Sequence, residues 1–258
     1  MEEEDRWMRE RIHQATAEVR RCLENFDFTA LGGICYEVVW NDFCDWYVEL
    51  CKVRLSGEDP VKKGAALVHL YAAYADLLKL LHPLIPFVTE ELWEKLGKVG
   101  KEKGLWKAAP GDRELLMLSG FPAAKADIDR ALLERFAVLQ AFTGAIRGLR
   151  TQAKVPDREK LNARYKADEA RATVVAELKD RILRMAMLDS LEPTREKPSG
   201  WSASVISGVE VYLDLTRFRD VAGEKKRLDK ELEAARGECE GIEKRLSNPG
   251  FLAKAKPE

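Results

Sequence analysis

The stretch Leu80–Gly97, LLHPLIPFVTEELWEKLG, decides how the chain is read. Two prolines three residues apart, Pro83 and Pro86, separate two apolar helical patterns. Proline lacks an N–H and clashes with the preceding turn, so a helix running into Leu81 stops or bends near His82. Pro86 fits the first turn of a new helix, where no N–H is needed. Thr89, followed by Glu90 and Glu91, offers an alternative start, a hydroxyl cap with acids suited to the positive helix end. Leu92, Trp93 and Leu96 give the second helix one apolar face. By composition the stretch is a bent helical hairpin in an all-helical domain, and it carries no chemistry of its own.

Upstream, Val61–Leu81 has helical periodicity in Leu67, Leu70, Tyr71, Tyr74, Leu77, Leu78 and Leu81, after a turn at Ser56–Pro60. Before that turn a helix is expected from about Leu31 to Arg54. Its Tyr36, Trp40, Phe43 and Tyr47 advance by four, three and four residues, with Trp46 and Leu50 beside them. Such an aromatic load reads mainly as core, and the acids Glu37, Asp42, Asp45 and Glu49 repel phosphate. The alternative is a surface on which an unstacked RNA base rests. Glu4–Phe26 forms a first amphipathic helix through Trp7, Ile12, Ala15, Val19 and Leu23, and Asp27–Gly33 is a break.

Downstream, Lys98–Asp112 reads as a polar loop, with Trp106 and an extended Leu115–Phe121 packing back on the bundle. Asp127–Lys154 is a long helix with Leu132, Leu133, Phe136, Leu139, Phe142 and Ile146 inward. It ends at Val155-Pro156 and carries Arg147, Arg150 and Lys154 on one face. After Pro156 the period changes. Leu161, Ala163 and Tyr165 alternate with polar residues as in a strand, a helix follows over Glu169–Leu188, and WSASVISG and VEVYLDL read as a hairpin turning at Ser207-Gly208. In the second strand Val209, Val211, Leu213 and Leu215 face one way, and Glu210, Tyr212 and Asp214 the other. A unit of this size leans on its neighbours. In the tail, Leu228, Leu232, Ala235, Cys239, Ile242 and Leu246 form a heptad seam among charged residues, weakened by Gly223, Gly237 and Gly241 and broken at Ser247–Gly250.

The chain has 258 residues, 46% of them hydrophobic and 34% charged, with a net charge of −1 and a pI of about 6.4. Any nucleic-acid contact therefore comes from local patches. The cysteines, Cys22, Cys35, Cys44, Cys51 and Cys239, form no CxxC pair and read as buried thiols of a reducing cytosol. The acidic start MEEEDRW does not resemble a signal peptide, and no apolar run is expected to span a bilayer. His13, His69 and His82 are isolated, without a nucleophile or metal partner nearby in sequence.

The order of residues adds a family resemblance. HPLIPFVTEELWEKL and the upstream YEVVWNDFCDWYVEL resemble helices of the anticodon-binding domain of class I synthetases for valine, isoleucine and leucine, most of all the valyl-tRNA synthetases. IRGLRTQAKVP resembles a further helix of that domain, and KRLSNPGFLAKAKPE resembles the turn of the valyl family's C-terminal coiled-coil arm. The resemblance implies a mainly α protein: an antiparallel helix bundle over 1–156, whose first helix lies upstream of Met1, a small α/β junction over 157–218, and the first helix of the arm over 219–258.

It also implies binding of tRNA(Val), for ATP-dependent valylation by a catalytic domain. ATP, magnesium and valine belong to the parent enzyme, in the cytoplasm, and the chain is expected to be a monomer. The HIGH and KMSKS motifs of the family do not occur here, so no catalytic, cofactor or metal residue is expected. For RNA, the family's apolar base contact falls on Val48. Phosphate contact is implied for Arg147, Arg150 and Lys154, although spacing alone gives only a solvated basic face. In the arm it is implied for Lys225, Lys226, Arg227, Lys230, Arg236, Lys244 and Arg245. The rival readings are a coiled-coil adaptor that never meets RNA, and the same region of an isoleucyl enzyme.

Overall fold

The computed structural model describes residues 1–105, 114–206 and 208–218, with the short helical pieces 231–233, 235–240 and residue 242. The order is α1 (Glu3–Glu24), α2 (Phe28–Tyr36), a π-helical segment (Glu37–Tyr47), α3 (Val48–Ser56), α4 (Pro60–Leu81), α5 (Pro86–Glu102), a 3-10 turn (Leu116–Leu118), α6 (Arg130–Gln152), β1 (Leu161–Lys166), α7 (Glu169–Glu177), α8 (Lys179–Met185), β2 (Leu188–Pro193), β3 (Ser202–Ile206), β4 (Val209–Leu213) and a 3-10 turn (Thr216–Phe218). Helices make a bundle and the strands a four-stranded sheet in the order β2-β1-β4-β3.

The proline hairpin forms as its residues dictate. α4 stops at Leu81, Pro86 opens α5, and the Leu84 and Ile85 amides both donate to the Leu81 carbonyl. Thr89 is not the cap. Its hydroxyl lies 2.8 Å from His82 Nδ1 and closes the bend from inside. Trp93 is buried against Ala75, Leu78 and Leu116, with Leu92 and Leu96 beside it. α5 outruns its expected end at Gly97 and continues to Glu102. Gly100 is where α5 crosses α4, since a Cβ there would lie 2.8 Å from Tyr71 Cζ. α4 is long and apolar enough to cross a bilayer, which the sequence reading did not expect. It packs against α1, α3 and α5, however, with Ala66, Ala73, Leu77, Leu78 and Leu80 buried, and its apolar belt serves the bundle.

α1 lies at the centre, stacking Trp7 on Phe136 of α6 at 4.8 Å between centroids. The break after it is shorter than expected, because Asp27 caps α2 through the Ala30 amide at 3.0 Å. Phe26 turns the chain with φ 56°. The 3-10 turn is held by Glu90, which accepts from the Leu116 and Met117 amides. It buries Leu116 while leaving Met117 and Leu118 exposed, in place of an extended cover. Trp106 lies outside the described residues. The next stretch is strapped along α1: Arg20 donates to the Pro122 carbonyl, His13 Nδ1 lies 3.0 Å from that of Ala123, and Glu10 accepts from Lys125 and from the Asp129 amide.

The expected helix over Glu169–Leu188 is corrected. It is two short helices, α7 and α8, and then a turn at Met187 (φ 54°) into β2, a strand that the sequence reading did not place. LDSLEP buries only Leu188 and Leu191 and so has no alternation to notice. β2 runs parallel to β1 after the α7–α8 crossover, while β4 is antiparallel to both β1 and β3. The hairpin turns at Gly208 with φ 78°. Val209, Val211, Leu213 and Leu215 are buried as expected, but so is Tyr212, whose hydroxyl donates to Glu210 at 2.5 Å. The inner sheet face packs on α6, and one hydrophobic core runs from Trp7 through Phe142 and Tyr165 to Leu215. The α/β unit has no separate core.

Of the tail seam, Leu232, Ala235, Cys239 and Ile242 are described. They lie in helical stretches and are exposed, Leu232 by 51% and Ile242 by 55%. Leu228 and Leu246 lie outside the described residues.

Candidate nucleic-acid interface

The sequence reading expected a single aromatic stripe on the second helix. The structure divides it. Phe43, Trp46 and Tyr47 are buried, while Tyr36 and Trp40 are 62% and 54% exposed. The π-helical segment is the cause. Its i→i+5 bonds give roughly four and a half residues per turn instead of 3.6, so positions that coincide on an α-helix move to opposite sides. Tyr36 and Trp40 stack on each other outside, with centroids 6.4 Å apart and planes 19° from parallel.

Trp46 is core, and it supports a cation. Arg147 of α6 lies over its ring at 5.5 Å and donates to the Met185 carbonyl at the end of α8 through Nη2 at 3.0 Å. Val48, two residues beyond Trp46, is half-buried against the core. Arg150 differs from the exposed cation that spacing suggested. It is 8% exposed and donates to the Met187, Pro156 and Glu159 carbonyls at 3.3, 3.0 and 2.7 Å. Burial pushes its pKa down, against the pull of Asp157 and Glu159. It is a strut between α6, the following turn and the start of β2. The turn folds back because Val155-Pro156 ends the helix, and that is why a residue on a basic face is covered. Lys154 is exposed, with φ 52°, in the left-handed position after the helix end. The three expected phosphate contacts therefore divide into one half-engaged arginine, one strut and one free-standing lysine. Arg236 of the arm is exposed. Lys225, Lys226, Arg227, Lys230, Lys244 and Arg245 lie outside the described residues.

A buried ionic network fixes the helices that present these groups, and the sequence reading did not find it. Asp5 accepts from Arg54 Nη1 at 2.8 Å, Arg54 Nη2 at 2.5 Å and the Tyr47 hydroxyl at 2.8 Å, with its own side chain fully buried. Burial raises the Asp5 pKa, but bonds from Arg54, Tyr47 and the Glu2 amide outweigh it and hold the carboxyl below the usual range. Burial pushes the neighbouring Cys51 thiol up to about 11. Arg181 of α8 joins Glu3 and Glu4 at 3.0 and 3.1 Å, and Arg135 joins Glu3 to Glu177. The acids of MEEEDRW thus tie α1 to α3, α6 and α8. Among the described residues no three His, Cys, Asp or Glu side chains gather to hold a metal.

The helical bundle thus presents an exposed aromatic pair and, on α6, an arginine seated over a ring. Residues 5–165 match the anticodon-binding domain of tRNA ligases, and the chain belongs to that family. Residues 220–258 match the tRNA-binding arm of valyl tRNA synthetase. Relatives named valine--tRNA ligase include those of Caulobacter vibrioides, 36% identical, and Carboxydothermus hydrogenoformans, 35% identical. Each match covers 98% of this chain and 27% or 28% of the relative. The Aquifex aeolicus valine--tRNA ligase is 30% identical over 98% of this chain and 22% of its own length. The chain thus spans about a quarter of the length of these relatives.

Proposed function

We propose that this chain is the tRNA-holding C-terminal region of a valine–tRNA ligase. It positions tRNA(Val) while a catalytic domain of the longer enzyme forms the valyl ester, using ATP with magnesium and valine. The observation that carries this reading is the succession, in one chain, of an anticodon-binding domain and a valyl tRNA-binding arm. The chain supplies no catalytic residue in this account. It works in the cytoplasm as a monomer, and its cations hold the phosphate backbone without reading sequence.

Filter binding of a tRNA(Val) transcript across a salt series tests the reading. The expected result is saturable binding whose log K falls linearly with log salt, tighter for tRNA(Val) than for tRNA(Ile). No saturable binding at low salt refutes it. The exposed seam residues Leu232 and Ile242 favour a second reading, a coiled-coil adaptor. That reading predicts concentration-dependent self-association lost on Leu232→Asp, with no affinity for RNA.

A further inference from the structure

α2 is a helix without a charged residue, FTALGGICY, and much of it is open to solvent. Phe28 is 58% exposed, and Gly32, Gly33 and Tyr36 are exposed. Phe28, Gly32 and Tyr36 follow at four-residue spacing, and Gly33 flanks Tyr36 on its other side, so they share one face. A Cβ built at Gly32 or Gly33 meets nothing within 4 Å. No neighbour requires these glycines, although glycine is among the poorest residues for a helix interior. They leave a bare backbone floor between Phe28 and the outward Tyr36–Trp40 stack, a span of about 12 Å at 1.5 Å per residue.

We propose that this floor is a seat for an unpaired nucleobase of the bound tRNA, which stacks against the Tyr36–Trp40 pair over Gly32 and Gly33. The inference rests on the tRNA-binding reading above. Charge selects the base as the part of the nucleotide that enters. The floor itself is neutral, and at its C-terminal side Glu37, which follows Tyr36, lies 3.9 Å from Arg11, a cation already engaged by Asp42 at 2.6 Å and so not free to draw a phosphate. Arg21, on the last turn of α1 before the exposed Phe26, is the cation at the other end and suits the backbone. A base has a π-face whatever its identity, so the seat tolerates sequence and prefers single strands. The π-helical segment is the local device that turns these rings out of the core, and such segments recur at functional sites.

The test uses the full chain with three probes: a tRNA(Val) transcript, a short oligoadenylate and a perfect RNA duplex. Tyr36→Ala with Trp40→Ala is expected to weaken the tRNA and oligoadenylate affinities about tenfold or more, on the scale of one lost stack. Duplex affinity and the thermal midpoint should stay unchanged. Gly33→Leu fills the floor. It should raise the midpoint, as a better helix former with room for its side chain, and weaken both single-stranded probes. If the wild type binds tRNA and both variants bind it equally well, the seat is refuted while the tRNA-binding reading stands. If the wild type binds none of the probes, both fall. Self-association abolished by the double variant, with RNA affinity intact, would assign the face to a second copy of the chain and overturn the proposal.

Discussion

Arg54→Met would break the buried pair between α3 and α1 and leave Asp5 as a charge without its main partner. The Asp5 side chain is fully buried and that of Arg54 is 8% exposed. Methionine keeps most of the volume, so the loss is electrostatic. Removing one member of such a pair costs about 3–5 kcal/mol. That is roughly two to four powers of ten in the folding constant. Tyr47 still donates to Asp5 and Arg181 still holds Glu4, which places the expectation toward the lower end.

The sign with pH follows from the depressed Asp5 pKa. Its stabilising contribution is full above the ordinary carboxylate range and is lost as pH falls through the folded value. The variant's deficit should therefore be large near pH 7 and shrink toward about pH 3. Urea titrations followed by far-ultraviolet circular dichroism at both pH values measure it, and Asp5→Leu added to Arg54→Met should recover much of the loss. A cost below about 1 kcal/mol, of surface-pair size, or a deficit independent of pH would refute the argument that this pair is desolvated.

Trp46→Ala should cost about 3–5 kcal/mol in a thermal or urea scan, because it empties core and removes the ring beneath Arg147. An unchanged midpoint with lost tRNA binding would restore a stacking role to Trp46. Arg150→Ala should act on stability, since it strands three carbonyls, whereas Lys154→Gly should leave the midpoint unchanged or higher and reduce the salt slope for tRNA binding by about one. If instead Arg150→Ala spared stability and lowered the slope, that residue would be a phosphate contact after all. Gly100→Ala should destabilise by about 1–3 kcal/mol through Tyr71, and Tyr71→Phe with Gly100→Ala should recover part of it, both readable by calorimetry.

The parts of the fold legible in the sequence are those set by short-range rules. Pro83 and Pro86 mark a hairpin because a missing N–H has only a few places to go. The α6 period names Leu132, Phe136, Leu139 and Ile146 because each turn of a helix repeats the same exposure. What was not legible depends on contacts distant in sequence. β2 carries no alternation, and its place follows from pairing with β1 after a crossover. Arg150 looked like its neighbours on the basic face until the Val155–Glu159 turn folded over it. The Tyr36/Trp40 pair was assigned to a continuous stripe on an assumed α-helical period, and a change of helix type reversed its direction. Asp5 and Arg54, at 49 residues' separation, have no sequence signature beyond their charges. The separation of the candidate site into outward rings, a ring-borne cation and a buried strut was therefore unreadable, although the residues themselves were named.

The ionic clasp of α1 also bears on how the chain is made. Arg181 and Glu4 are separated by 177 residues. At about 5–20 residues per second, translation delivers Arg181 some 9–35 s after Glu4. During that interval the first turn of α1 holds Glu3, Glu4 and Asp5 without the α8 partner that fixes two of them, and Trp7 waits for Phe136. The nascent helix is therefore obliged to remain amphipathic and soluble with its aromatic side uncovered. Its closing contacts form only when α8 has left the ribosome, and the sheet closes later still, because β2, β3 and β4 all follow α8 in the chain.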